Sequence, residues 1–212
     1  MSVQIKICGL STPDTIAACA NAGASHIGFN FYPPSPRFVS AAQAAKLSED
    51  APATLQKVGV FVNPDDAFLQ EMVTAGRLDA IQLHGQETHA RTADVAARFN
   101  LPVWKVLSVE NADDIAEAAD YSDAADFLLF DAKTPKGSAL PGGMGHCFDW
   151  SLLKAYTGPL DWGLAGGLTA DNVAQAIKAT GAQLVDTSSG VESAPGTKDA
   201  AMIEAFCKAA LS

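Results

Sequence analysis

Positive charge is scarce in this 212-residue sequence: 14 lysines and arginines stand against 24 aspartates and glutamates, a formal net charge of −10. A surface of that sign repels nucleic acid and anionic membranes, so neither is expected as a partner. A small anionic ligand stays admissible if a local set of donors holds it against the global field. No apolar run reaches the length that spans a bilayer. The opening stretch MSVQIKICGL has no basic segment leading into a long apolar one, so it does not read as a secretory signal. Cysteine is rare as well. Cys8, Cys19, Cys147 and Cys207 make neither a C-x-x-C pair nor a metal-finger spacing. They are expected to be reduced thiols in a cytoplasmic protein. His26, His84, His89 and His146 are scattered, without metal-ligand spacing. G-x-S-x-G, Walker A and H-E-x-x-H are missing, and no G-x-G-x-x-G follows the first strand-like run. No metal and no cofactor is expected.

What the chain does have is regular alternation. Hydrophobic residues make up 48% and charged residues 18%, enough to fill a core. Strand-like runs occur at 3–8, 25–31, 56–62, 79–84, 102–108, 126–131, 161–166 and 183–188. Helical patterns lie at 12–22, 40–48, 65–75, 87–99, 111–119, 149–156, 170–180 and 197–210. Several open on helix-start signals, such as Thr12 before Pro13 and Asn63 before Pro64. Eight strands alternating with eight helices predict parallel pairing through right-handed crossovers. With no linker or composition shift, residues 1–212 are expected to form one domain, a single α/β (β/α)8 TIM barrel. An open doubly wound sheet is the alternative, though it would more often carry a dinucleotide turn.

Strand parity points the same way, since residues that alternate along a strand face opposite sides. Val3, Ile5 and Ile7 share one face of the first run and Gln4, Lys6 and Cys8 the other. The same logic predicts Gln82, His84, Lys105 and Asp131 on the inner face, with Trp104 and Val106 opposite Lys105. Cys8, His84 and Asp131 also end their strands, at the pole where barrel enzymes place their chemistry.

A lone strand cysteine is more often a small buried hydrophobe than a reactive group. Cys8 is set apart by its place on the polar face beside Lys6, a cation that would favour thiolate. Asp131 follows four apolar residues, so its carboxyl is expected in a low-dielectric site that favours the protonated acid. The stretch after it, about 132–148, is long and rich in glycine, as lids often are. Arg37 lies in FYPPSPRFVS, where prolines stiffen the loop and aim an anion clamp. LAGGLTADNV (164–173) and DTSSGVES (186–193) follow the seventh and eighth strands. Their glycines and hydroxyls can present backbone N–H groups to a phosphate, and this fold commonly binds phosphate there. His84 alone is more often structural than catalytic.

Taken in order, KICGL, GFNFYPPSPRFVS, VGVFVN, IQLHGQE, LLFDAK, GGMGHCFDW, LAGGLTADNV and VDTSSGVESAPGTKD resemble the successive motifs of the phosphoribosylanthranilate isomerase family. They cover nearly the whole chain. The resemblance implies an Amadori rearrangement of N-(5-phosphoribosyl)anthranilate to an aminoketose phosphate. It implies Cys8 as general base and Asp131 as general acid. It also implies Arg37 at the anthranilate end, and Gly166, Gly167, Ser188, Ser189 and Gly190 around the phosphate. The chain departs from the family pattern at Met144, Ala170 and Thr187, where threonine, proline and valine are common. The expected partner is a small-molecule substrate, and the expected state a monomer or homodimer. Two other readings remain at this stage: another phosphosugar isomerase or epimerase barrel or an indole-glycerol-phosphate synthase, of which an epimerase would usually need metal ligands and the synthase more chain and a lysine–glutamate set, and a catalytically silent sugar-phosphate-binding barrel.

Overall fold

A computed structural model describes residues 3–133 and 149–212. Eight parallel strands close a barrel in chain order: β1 (Gln4–Cys8), β2 (His26–Asn30), β3 (Gln56–Phe61), β4 (Ala80–Leu83), β5 (Val103–Val109), β6 (Phe127–Ala132), β7 (Trp162–Leu164) and β8 (Leu184–Thr187). The first strand pairs with the last, Lys6 opposite Asp186 and Ile7 opposite Thr187. The α-helices are α1 (Pro13–Asn21), α2 (Ala41–Asp50), α3 (Asp66–Gly76), α4 (His89–Phe99), α5 (Ala112–Ala116), α6 (Val173–Thr180) and α7 (Ala200–Ala210). Among the described residues no helix is long and apolar enough to cross a membrane.

Local chemistry sets the helix starts. Thr12 accepts from Thr15 N with Pro13 in the first turn, and Ser40 with Gln43 makes a reciprocal capping box. The cap of α3 is Asp65 rather than Asn63, which instead takes a left-handed conformation (φ 47°) and accepts from Gln86 N. Other expected helices are shorter than the pattern suggested. The 111–119 segment divides into α5 and a 3-10 stretch, Glu117–Tyr121, and the 149–156 segment is a 3-10 turn, Trp150–Ala155. The Asn172 side chain accepts from Thr169 N and donates to Gly167 O, which holds residues 169–172 as a turn and delays α6. The last expected helix loses its start to a hairpin, β9 (Glu192–Ala194) and β10 (Thr197–Lys198).

Register fixes which side chains face inward, because paired residues of parallel strands share a side. Lys6 pairs with His26 and Asp186, Val58 with Ala80 and Gly28, and Gln82 with Val60 and Trp104. This places Lys6, Cys8, Gln82 and Asp131 inside, as parity predicted. It reverses β5. Trp104 and Val106 fill the barrel interior with Val58, Ala80, Leu129, Ala165 and Leu184, while Lys105 faces the helix layer. The barrel floor needs bulky apolar groups. Lys105 is satisfied outside it by Glu87 at 2.7 Å and by Gly85 O at 2.9 Å, with Tyr121 beneath the ammonium. The outer core packs Ile5, Ile7, Ile27, Phe29, Leu128, Phe130 and Val185 beneath Ile16, Leu69, Val95, Ile203 and Phe206 of the helices.

His26 is a buried polar residue of this floor, with its ring centroid 5.3 Å from that of Trp104 and Nδ1 2.8 Å from Ser25 Oγ. Burial, helped by the Lys6 charge, pushes its pKa down to about 4. An unfolded histidine titrates near 6.5, so between these values the unfolded chain binds the extra proton. The contribution is therefore complete above pH 6.5 and is lost as pH falls toward 4. Between pH 7 and 4.5 this one group should remove about 2 to 3 kcal/mol of stability. Urea melts at both pH values should show a smaller acid-induced loss for His26→Gln than for wild type; equal losses would refute the assignment.

Candidate active site

Cys8 ends β1 at the barrel mouth and is 8% exposed. It sits over Lys6, which is fully buried and pairs with Asp186 Oδ1 at 3.0 Å across the β1–β8 seam. Gly28, its neighbour on β2, leaves room for this arrangement. A Cβ built there would lie 3.0 Å from both Cys8 Cα and Cys8 Sγ, and 3.3 Å from Lys6 Nζ. Sequence reading expected Lys6 to favour the thiolate, and it does act that way. Burial outweighs it, however, and pushes the Cys8 thiol above its ordinary pKa, because Lys6 is shared with Asp186. Lys6 itself is pulled down by burial but held above its usual value by Asp186 and Cys8. The resting group is thus a thiol.

Asp131, near the end of β6 and 6% exposed, also faces the interior. Its Oδ2 lies 3.3 Å from His84 Nε2. Gln82 Nε2 is 3.3 Å from His84 Nδ1. His84 therefore lies beside Asp131, within ion-pair distance though without a hydrogen bond to it, rather than standing as an isolated core histidine. Asp186 was not singled out from the sequence. Its signal was available: two residues from the interior Leu184, it must point inward and meet Lys6 in register. Burial pushes its carboxyl up against the pull of Lys6.

The two candidate phosphate loops meet beside these groups. Gly166 takes φ +89°, a region costly for other residues, and a Cβ there would stand 2.5 Å from Ala132 N and 3.0 Å from Asp131 Oδ1. The loop carrying Gly167 is tied to β8 by Thr187 Oγ1, which donates to Leu168 O at 2.7 Å. A valine could not make this bond. Ser188 Oγ donates to Cys8 O at 3.0 Å, and Ser189 and Gly190 form the 3-10 turn Ser189–Val191 that follows. Arg37 lies beside the mouth, 6% exposed, with Nε and Nη2 on the two carboxylate oxygens of Glu192 at 2.7 and 2.8 Å. Cys8, Asp131, Arg37 and both loops therefore gather at one pole. Met144 and most of the glycine-rich segment expected as a lid lie outside the described residues.

This arrangement places a thiol and a carboxyl on separated strands at one pole of the barrel, with the candidate anion-binding loops and Arg37 beside them. The sequence profile of the N-(5'phosphoribosyl)anthranilate isomerase family matches residues 5–209. The chain belongs to that family. It is 52% identical over 210 residues to the N-(5'-phosphoribosyl)anthranilate isomerase of Paramagnetospirillum magneticum, covering 99% of this chain and 98% of the relative. Among solved structures it resembles the isomerase of Thermotoga maritima, at a TM-score of 0.86 and 35% identity over 98% of both chains. It also resembles a phosphoribosyl anthranilate isomerase in complex with reduced 1-(o-carboxyphenylamino)-1-deoxyribulose 5-phosphate, at a TM-score of 0.84 and 33% identity over 98% of both chains.

Within the family fold, the Gly28 gap yields a local test. Gly28→Ala should fold but displace Cys8 by a few tenths of an ångström. Misplacement on that scale should lower kcat by about tenfold, with a smaller change in KM. Unchanged kcat would show that the thiol tolerates the shift.

Proposed function

We propose that the isomerisation of N-(5'-phosphoribosyl)anthranilate, the family's step in tryptophan biosynthesis, runs in this chain on Asp131 as general acid and Cys8 as general base. The observation that carries this reading is the placement of two buried proton-transfer groups at the mouths of β1 and β6, three strand positions apart around the closed barrel. Asp131 delivers a proton to the ribose ring oxygen, and the ring opens to a cationic Schiff base. Cys8, as the thiolate formed when its proton passes to solvent at the mouth, then takes the proton from C2 of the sugar, and the enolamine tautomerises to the aminoketone 1-(o-carboxyphenylamino)-1-deoxyribulose 5-phosphate. Ring opening comes first, because only the cationic Schiff base makes the C2 proton acidic. A thiolate is costly in the resting site, and the positive charge created by ring opening, added to Lys6, lowers that cost next to the sulfur.

Arg37 binds the anthranilate carboxylate, and the backbone of Gly166, Gly167, Ser188, Ser189 and Gly190 surrounds the phosphate. The Ser188 hydroxyl is already engaged with Cys8 O, which favours its N–H as the phosphate donor. The β1–β8 pairing supports reading residues 1–212 as one domain. The same reading places the enzyme in the cytoplasm, as a monomer or homodimer that needs no cofactor.

The test generates the substrate in place from anthranilate and phosphoribosyl pyrophosphate, with chelator present, and follows loss of substrate fluorescence. Cys8→Ala and Asp131→Asn should each lower kcat by about 10³-fold while the protein stays folded. Full activity in both variants would sink the acid–base assignment while leaving the family activity standing.

A further inference from the structure

A buried guanidinium on a flexible stem does not aim itself. The Arg37 stem crosses Gly9, where a Cβ would stand 2.7 Å from Arg37 Cδ. Its head is gripped by Glu192, which opens β9, 155 residues further along the chain. Lys198, on β10, donates to the same Glu192 carboxylate, to Ser188 O at 3.0 Å and to Ser188 Oγ at 3.1 Å. The side chains of Lys198 and Glu192 are 1% and 4% exposed. The hairpin turn also rests on the arginine loop, since a Cβ on Gly196 would meet Pro36 O at 2.6 Å.

Glu192 poses an electrostatic question. A carboxylate that pairs with Arg37 in both its oxygens cancels the charge a substrate carboxylate should feel. Lys198 answers it. Among the described residues the cluster holds two cationic side chains and one carboxylate, so positive groups outnumber the negative one, although burial pulls the Lys198 ammonium below its ordinary range. We propose that Glu192 and Lys198 are positioning residues that make the site selective for a substrate bearing an aryl carboxylate: Glu192 orients Arg37, while Lys198 restores the charge that Glu192 cancels and ties the clamp to Ser188 in the phosphate loop. The inference rests on the reading of Arg37 given above. The cluster behaves electrostatically as one unit: burial opposes ionisation of Glu192, yet Arg37 and Lys198 hold its carboxyl below the usual range.

The experiment compares kcat and KM on N-(5-phosphoribosyl)anthranilate and on N-(5-phosphoribosyl)aniline, formed from ribose 5-phosphate and aniline, which lacks the carboxylate. Glu192→Gln replaces one acceptor by a donor facing the guanidinium. It should raise KM about tenfold for the anthranilate substrate, with kcat nearly retained, and leave kcat/KM on the aniline compound close to wild type. Lys198→Met should raise KM on both, because it also releases Ser188, and more on the carboxylated one. Equal losses on the two substrates in both variants would mark the cluster as structural and overturn the proposal, as would a wild-type KM in Glu192→Gln. Arg37→Met separates the two levels. If it raises KM for the anthranilate substrate while Glu192→Gln does not, only this inference fails; if it leaves that KM unchanged, the clamp reading fails and takes the inference with it. Should circular dichroism show Glu192→Gln unfolded, Glu192→Asp keeps the charge but is one methylene short of the guanidinium. The same selective KM rise is expected, and a wild-type KM would overturn the proposal.

Discussion

The barrel closes on a buried ion pair. Lys6 and Asp186 face each other in register across the seam between the first and last strands, 3.0 Å apart. Removing one member of such a pair typically costs several kcal/mol, because the other is left charged and buried. The seam therefore has a preferred register, and that register sets the site. With Lys6 opposite Asp186, Cys8 rises one inward step above the ammonium and Ser188 comes close enough to donate to Cys8 O. A shift by one residue would turn Cys8 toward the helices and Ile7 toward the mouth.

The same pair explains why the thiol is not a standing thiolate. One ammonium serves two acidic groups in a low-dielectric space, and the carboxylate has the first claim. The repeated motif of this pole is the compensated cation: Lys6 with Asp186, and Arg37 and Lys198 with Glu192. For a chain of net charge −10 that handles a phosphate and a carboxylate, such clusters supply positive charge locally where the surface as a whole repels. Each cation is held by a carboxylate from the stretch 186–192, so the end of β8 and the hairpin act as the electrostatic backbone of the site.

Most of the fold was legible because period-two alternation and capping residues act locally. All eight strands fall within the expected segments to a residue or two, and Cys8 and Asp131 could be placed at strand ends from alternation alone. What failed needed tertiary information. Lys105 was assigned inward because it is charged, but a buried lysine follows its partner, and Glu87 lies in the loop outside the barrel. Only the second hairpin strand, Thr197–Lys198, falls inside the expected helix 197–210, after the turn at Pro195–Gly196; strands of three and two residues are too short for periodicity to register. Glu192 and Lys198 were missed with it, and nothing local to Arg37 could announce a partner so far away in sequence.

Thr187 shows how a departure from a family pattern acquires meaning only in three dimensions. Read in sequence, a threonine in place of valine is a mild change in a strand. In the barrel its hydroxyl donates to Leu168 O and joins the loop after β7 to the end of β8. Leu168 follows Gly167, and Thr187 precedes Ser188, so the bond spans the two halves of the candidate phosphate site. Two independently mobile loops would have to be ordered anew by each substrate, at an entropic cost that weakens binding. Here that ordering is already present in the folded chain, through Thr187 on one side and through Lys198 and Ser188 on the other. The pole is organised from the β8 end outward, and the proposed base on β1 and acid on β6 sit on either side of that fixed edge.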